Sequence, residues 1–321
     1  MLSAAASFAT DMAMAHVPVL SQELLNTLGV RPGSRVVDCT FGAGGHAALV
    51  AAELGPDGVL IACDQDPVAE HYYRDLKRML PKGSRFHKGN FAQVLADLHQ
   101  EGFRVTHIYV DLGVSSMQID TPERGFSYSY DAPLDMRMDP CLSVTAADIV
   151  NTWPEKALTG LFGRYGEERF SGRIARAIGI RRASTPYSRT AELVDTIKAA
   201  IPTPARFGAG NPARRVFQAL RIEVNDELGS LQRALPHAFS LLEPGGVLAV
   251  ISFHSLEDRI VKEFFAGKAR SCTCPPDFPV CICGTRATGE IMTTKPVIPG
   301  PRELELNPRS GSAKLRALRR L

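Results

Sequence analysis

A glycine run between an apolar strand and a helix, matched by an acidic residue ending the next strand, is the part of this sequence best suited to chemistry. Arg35-Val36-Val37-Asp38-Cys39-Thr40 is short, β-branched and apolar, and it ends in Phe41-Gly42-Ala43-Gly44-Gly45-His46. Glycine there lets the backbone approach a ligand closely and exposes N–H groups at the helix start. Asp64, twenty positions after Gly44, ends Val59-Leu60-Ile61-Ala62-Cys63-Asp64. A carboxylate so placed accepts two hydrogen bonds from a ribose diol. A tight turn beside a solvated aspartate is the plainer alternative; the matched pair favours a nucleoside-containing ligand.

Gly42-Ala43-Gly44-Gly45-His46-Ala47 formally satisfies the dinucleotide pattern with alanine in last place, so NAD is one candidate. Two features point instead to S-adenosylmethionine. Asp38, just before the turn, suits a ligand with an amino group rather than a pyrophosphate. Pro244-Gly245-Gly246 leads into the late strand Val247–Phe253, a feature of class I methyltransferases. His254 follows that strand, whose carboxyl end opens on the ligand crevice, and a neutral imidazole there accepts a proton. A structural histidine is the alternative.

Three further groups stand out. Arg169, Arg173 and Arg176 share one face of a helix expected over Glu167–Arg182, and Arg181 and Arg182 extend the charge. A phosphate-binding face and a solvated face both explain that pattern. Arg214 and Arg215 are further phosphate candidates, as are Lys314, Arg316, Arg319 and Arg320 of the tail. The tail reads equally as a charged edge strand that resists aggregation. Cys272-Thr273-Cys274 and Cys281-Ile282-Cys283 are separated by six residues. Four thiolates bind zinc tetrahedrally, although this is not the usual Cys-x-x-Cys spacing. Free thiols or a disulfide pair are the alternatives.

Strands alternating with helices must position these groups. The strands expected at Arg35–Thr40, Val59–Asp64, Arg85–His87 and His107–Asp111 form a parallel α/β sheet. After Asp120 the pattern turns helical. Trp153-Pro154 opens one helix, and Thr190 caps another whose face is Leu193, Val194, Ile197 and Ile201. Phe217, Leu220, Val224, Leu228, Leu231 and Leu235 repeat at helical spacing as one long helix. The expected organisation is a leader over 1–15, an α/β domain over 16–120 and 215–321, and a helical insertion over 121–214.

Composition agrees. The 321 residues are 45% hydrophobic and 22% charged, which excludes a disordered or fibrous chain. With 37 basic against 34 acidic residues and a net charge of +3, any nucleic-acid surface is a local patch. No apolar run reaches the roughly 18–20 residues of a membrane span. The Ala-rich start, Met1–Ala15, lacks a basic n-region, and Thr10-Asp11 interrupts it, so a flexible leader is expected rather than a signal peptide. Cys39 and Cys63 in apolar strands suit a reducing, cytoplasmic chain. The oligomeric state is not readable.

Longer motifs carry a resemblance. His16-Val17-Pro18-Val19-Leu20, Thr40–His46, Asp64-Gln65-Asp66-Pro67, Asp111-Leu112-Gly113-Val114-Ser115-Ser116 and Arg124-Gly125-Phe126-Ser127 come first. Pro133-Leu134-Asp135-Met136-Arg137-Met138, Tyr165-Gly166-Glu167-Glu168-Arg169 and Ser252-Phe253-His254-Ser255-Leu256-Glu257-Asp258-Arg259 follow in fixed order. Together they resemble the RsmH (MraW) family, S-adenosylmethionine-dependent methyltransferases acting on cytosine N4 in 16S rRNA of the small ribosomal subunit. The resemblance covers about residues 16 to 321. It implies a Rossmann-like class I sheet interrupted by an all-helical inserted domain.

The resemblance also implies residue roles. Gly44, Gly45 and His46 would hold the methionine end, Asp64 the ribose hydroxyls and Phe91 the adenine, with Asp111 and Gln118 completing the pocket. Many N4-amino methyltransferases carry an Asn/Asp/Ser-Pro-Pro-aromatic segment after the fourth strand. This chain has Asp111–Ser116 there, so Asp111, Ser115 and Ser116, with His254, are the candidates for orienting and deprotonating the amino group. Two other classes compete: an NAD-dependent oxidoreductase, and a cofactor-dependent RNA-binding or assembly factor without turnover.

Overall fold

The computed structural model describes residues 18–203, 211–272, 274 and 282–321. The leader, His16, Val17 and Cys281 lie outside them. The strands are β1 (Arg35–Asp38), β2 (Val59–Asp64), β3 (Arg85–Lys88), β4 (Val105–Asp111), β5 (Leu242–Ser252), β6 (Gly289–Ile291) and β7 (Lys314–Arg320). They form one sheet in the order β3-β2-β1-β4-β5-β7-β6. The first five are mutually parallel, and β7 runs antiparallel between β5 and β6.

Parallel strands are covered on both faces, so they read as continuous apolar runs. Val36, Val37, Leu60, Ile61, Ile108, Val110, Leu248 and Val250 are buried accordingly. Crossovers between them need a dozen or more residues. The helices Gly45–Leu54, Ala69–Leu76 and Phe91–Gln100 supply them. The strand order changes direction between β1 and β4, and open α/β sheets bind ligands at the carboxyl ends of the strands flanking such a point. Asp38 and Asp111 are the last residues of those two strands.

Two compact units divide the chain, one made of 1–113 and 229–321 and one of Val114–Leu228. The boundaries expected at 120/121 and 214/215 therefore move. The reason at the far side is packing: the helix Ala213–Asn225 buries Val216, Phe217 and Leu220 in the same apolar cluster as Leu158, Leu161 and Phe162 of the helix Glu155–Gly166. At the near side, the short helix Ser116–Ile119 packs on the turn Pro122–Arg124.

The helical unit also explains two motifs that sequence chemistry left without a role. Asn225 accepts from Met138 N at 2.7 Å and donates to Met136 O at 2.8 Å. The Asp135 carboxylate accepts two bonds from the Arg137 guanidinium, at 2.8 and 2.7 Å, and one from Arg137 N at 3.0 Å. Pro133–Met138 is thus an internal clamp. In Tyr165–Arg169, the buried Glu168 accepts from Phe170 N at 2.8 Å, and Glu167 takes φ 48°. That left-handed residue ends one helix, so the next spans Ser171–Arg182 and Arg169 precedes it. Asp226, at φ 47°, likewise splits the long helix expected over Phe217–Leu235 into Ala213–Asn225 and Glu227–Leu241.

The tail corrects the edge-strand reading, because β7 has neighbours on both sides. Its charges close on its own unit. Arg316 Nε meets Asp258 Oδ1 at 2.6 Å, Arg319 pairs with Glu290 at 3.0 Å, and Arg320 Nη1 donates to the carbonyls of Ser240 and Leu242.

Gly166 lies where a Cβ would stand 2.6 Å from the Arg215 carbonyl oxygen, whereas a Cβ at Gly160 on the same helix meets nothing within 4 Å. Gly166→Ala should cost the helical unit about 1–3 kcal/mol through overpacking against backbone. Gly160→Ala should be neutral or stabilise by up to about 1 kcal/mol. Urea denaturation of the two variants checks the contrast.

Candidate functional site

The glycine turn is held from below by a buried carboxylate. Asp38 Oδ2 accepts from the Tyr109 hydroxyl at 2.6 Å, and Asp38 Oδ1 accepts from Thr40 N at 3.0 Å. Thr40 Oγ1 in turn accepts from Asp111 N at 2.7 Å. These bonds tie the end of β1 to β4. Both Asp38 oxygens are engaged internally and the residue is buried. In this structure Asp38 shapes the turn through these bonds. Sequence reasoning missed Tyr109 and Thr40, which have no pattern of their own and are defined only by the β1–β4 register.

Above that brace, Gly44 adopts φ 81° as the residue before the helix Gly45–Leu54, and a Cβ on it would stand 2.8 Å from the Phe41 ring. Asp64 Oδ2 accepts from Gly42 N at 2.7 Å and Asp64 Oδ1 from Asp66 N at 2.9 Å, joining the end of β2 to the turn. Asn90 caps the helix Phe91–Gln100 through Ala92 N and donates to Ser230 Oγ at 2.9 Å. Phe91 is half-buried against the sheet core.

His46 and Asp111 face each other across the turn. His46 Nε2 stands 3.5 Å from Asp111 Oδ2. Neither His46 Nε2 nor Asp111 Oδ1 has a hydrogen-bond partner among the described residues, although both atoms are buried. Buried polar atoms are satisfied in the great majority of cases, so such a pair beside a glycine turn fits a polar ligand. An imidazole and a carboxylate together suit a zwitterionic group.

The remaining predicted residues divide. Ser115, Ser116 and Gln118 belong to the helical unit, where Gln118 is buried and accepts from Ser115 N at 3.0 Å. Ser115 Oγ is without a partner among the described residues. His254 stands two residues after β5 and caps the helix Ser255–Ala269, its Nδ1 accepting from Glu257 N at 3.4 Å. Glu257 accepts from Phe253 N and His254 N. The cap engages Nδ1, while the buried Nε2 stands 3.2 Å from Glu257 Oε1. A cavity of about 320 Å³ opens beside it, walled by Phe253, Ile298, Pro299 and Leu304 with the hydroxyls of Ser255 and Ser312.

In the helical unit, Arg169, Arg173, Arg176 and Arg214 are exposed. Arg169 lies over the Phe170 ring at 4.7 Å, and Arg215 stands 3.7 Å from the buried Glu168. Arg181 and Arg182 are committed internally, to Glu192 and to the Val150 carbonyl. The cysteines lie elsewhere, after the helix Ser255–Ala269.

Burial pushes the Asp38 carboxyl up to about 7, against the opposing bonds from Tyr109 and Thr40, and Asp64 up to about 6 for the same reason. A carboxyl in the unfolded chain titrates near 3.9. The folded state thus binds these protons more tightly, so the stabilisation is full below about pH 4 and is lost as pH rises through the folded values. His107, lowered to about 4 by burial, acts in the opposite sense. Asp38→Asn removes the Asp38 contribution and, because the two carboxyls repel each other when charged, part of that of Asp64. The stability difference, wild type minus variant, should shrink as pH rises from 4 to 7. Denaturation midpoints measured at half-unit steps check this; a constant difference contradicts it.

The mixed sheet has seven strands in the order β3-β2-β1-β4-β5-β7-β6, with helices in its crossovers. Residues 13–321 match the MraW methylase family. A ribosomal RNA small subunit methyltransferase H from Symbiobacterium thermophilum is 51% identical over 313 residues, 97% of this chain and 98% of the relative. One from Heliobacterium mobile is 50% identical over 309 residues, 95% of this chain and 99% of the relative. Another, from Geobacter sulfurreducens, is 50% identical over 315 residues, 97% and 100% respectively. With agreement of this depth along nearly the whole sequence, the chain belongs to the MraW methylase family.

Proposed function

We propose that this methyltransferase transfers a methyl group from S-adenosylmethionine to N4 of a cytosine in the decoding region of 16S rRNA, in the small ribosomal subunit. The observation that carries the reading is the pair of buried atoms without a hydrogen-bond partner among the described residues, His46 Nε2 after the glycine turn and Asp111 Oδ1 at the end of β4, where the sheet order reverses. Family membership and the names of the relatives support the substrate. No helix among the described residues is long and apolar enough to cross a membrane, and a cytoplasmic location fits an rRNA substrate.

Bound there, S-adenosylmethionine supplies an electrophilic methyl on a sulfonium. Gly44, Gly45 and His46 would hold its methionine end, Asp64 its ribose and Phe91 its adenine. Asp64 already accepts backbone N–H bonds, among them those of Gly42 and Asp66, and a carboxylate with about four lone-pair sites keeps acceptor capacity for a diol. Cytosine N4 is a weak nucleophile because its lone pair is delocalised into the ring. Its attack forms the N–C bond, the C–S electron pair passes to sulfur, and one N4 proton must leave. Asp111 is the first choice to orient the amino group and receive that proton. Ser115 and Ser116 are secondary candidates. His254 drops behind them, because its Nδ1 lone pair is spent on the helix cap. The cytosine must leave its stack to react.

In this reading the exposed arginines of the helical unit bind RNA phosphate. Arg169, Arg173, Arg176 and Arg214 have no acidic partner within ion-pair distance among the described residues, whereas Arg181 is paired. Exposed, unpaired guanidinium groups suit phosphate contacts.

Asp64→Ala should weaken S-adenosylmethionine binding by about ten- to a hundredfold, the worth of a charged hydrogen bond. Calorimetry on a variant with unchanged circular dichroism tests it, and unaltered affinity contradicts the assignment. Arg173→Ala with Arg176→Ala should weaken RNA or subunit binding and lower its salt slope by about one unit for each phosphate no longer neutralised. Cofactor affinity should stay as in wild type, since phosphate contacts position the substrate without building the nucleoside pocket. Parallel titrations at several salt concentrations separate the two.

A further inference from the structure

The cysteines after the helix Ser255–Ala269 are brought together in a way that the methyl-transfer chemistry does not use. Cys272, Cys274 and Cys283 place their sulfur atoms all within 4.8 Å of one another. Cys283 Sγ stands 3.8 Å from Cys272 Sγ. A zinc–thiolate bond of about 2.3 Å sets the sulfur–sulfur edge of a tetrahedron at about 3.8 Å. A disulfide needs about 2.05 Å, so the observed spacing is that of ligands around an ion rather than of a bonded pair.

Two backbone amides reinforce the cluster. Cys274 N donates to Cys272 Sγ, and Ile282 N donates to Cys274 Sγ, both at 3.4 Å. N–H donors aimed at sulfur stabilise the thiolate over the thiol, the form a metal requires. The ligands come from the two ends of one excursion. At its base, Thr288 N donates to Lys268 O at 2.9 Å, so the chain leaves and re-enters at one point beside β6. Closing such an excursion with an ion removes conformational freedom from the unfolded chain, as any cross-link does. The other described cysteines lack this arrangement: Cys39, just after β1, and Cys63, in β2, are buried, and Cys141 is exposed.

We propose that Cys272, Cys274 and Cys283 are ligands of one structural zinc ion. An all-sulfur donor set selects a thiophilic metal, and zinc is the redox-inert choice. The inference stands on the sulfur geometry alone and is independent of the reading of the catalytic site. The Cys281 that the sequence pairs with Cys283 lies outside the described residues and is not part of the argument.

The test uses the full chain, purified under reducing conditions without chelator and desalted after incubation with equimolar zinc sulfate. Elemental analysis should give about one zinc per chain. Cys272→Ser and Cys283→Ser should each lower that content severalfold. In case a serine variant fails to fold, wild-type protein stripped of metal and reloaded with cobalt(II) provides a second readout: intense thiolate-to-cobalt absorption in the near ultraviolet. Zinc should also protect these three thiols from alkylation, read by peptide mass spectrometry. Metal-free protein after zinc loading, or cobalt bound without thiolate absorption, overturns the proposal. So does a Cys272–Cys283 disulfide under the same conditions.

Discussion

The buried hydrogen bond from the Tyr109 hydroxyl to Asp38, 2.6 Å long, is the interaction on which the site depends. It joins β1 to β4 where the sheet order reverses. Asp38 then holds Thr40 N, and Thr40 Oγ1 holds Asp111 N, so one carboxylate fixes both strand ends and the start of the glycine turn. Burying a carboxylate is costly unless it is hydrogen-bonded. Asp38 meets that condition in part, and the desolvation that remains is the main reason its pKa is raised.

The same economy explains the neighbouring groups. Asp64 braces the turn from β2 with one oxygen on Gly42 N, while His46 and Asp111 are left with buried atoms that no described residue satisfies. A fold that satisfied every polar atom internally would have nothing to offer a ligand. Here two of the unsatisfied atoms, His46 Nε2 and Asp111 Oδ1, lie together at the glycine turn and the end of β4, and the turn keeps side-chain volume out of the way. The helical unit is built on different terms. Its clamps, Asn225 on Met136 and Met138 and Asp135 on Arg137, are closed within the unit, which leaves several arginines free at the surface.

Much of this was legible in the sequence because it follows local rules. The apolar strands, the glycine turn and the acid ending β2 are short-range patterns, and the order of the first four strands with their helices follows from them. The helical insertion was legible as a change of period. Its boundaries were not, since Ala213–Asn225 looks equally apolar whichever unit it joins, and only packing against Glu155–Gly166 decides. The breaks at Glu167 and Asp226 were missed because left-handed residues other than glycine carry no sequence mark. Tail arginines read as a surface, yet β7 sits inside the sheet and spends them on Asp258, Glu290 and backbone carbonyls. Asp38 was seen as chemically special, but its partner Tyr109 is 71 residues away and the direction of its carboxylate depends on that register.

The proposed methyl transfer to a cytosine amino group of small-subunit rRNA, at the carboxyl ends of β1 and β4, is tested most directly by following the methyl group. Small ribosomal subunits from a strain lacking the enzyme, incubated with the protein and S-adenosylmethionine carrying a labelled methyl, are digested to nucleosides and resolved by mass spectrometry. The label is predicted to appear in N4-methylated cytidine from 16S rRNA, and to be absent with Asp111→Ala protein that still folds. Label on another atom or nucleoside, or no transfer from a cofactor-binding wild-type protein, would contradict the account.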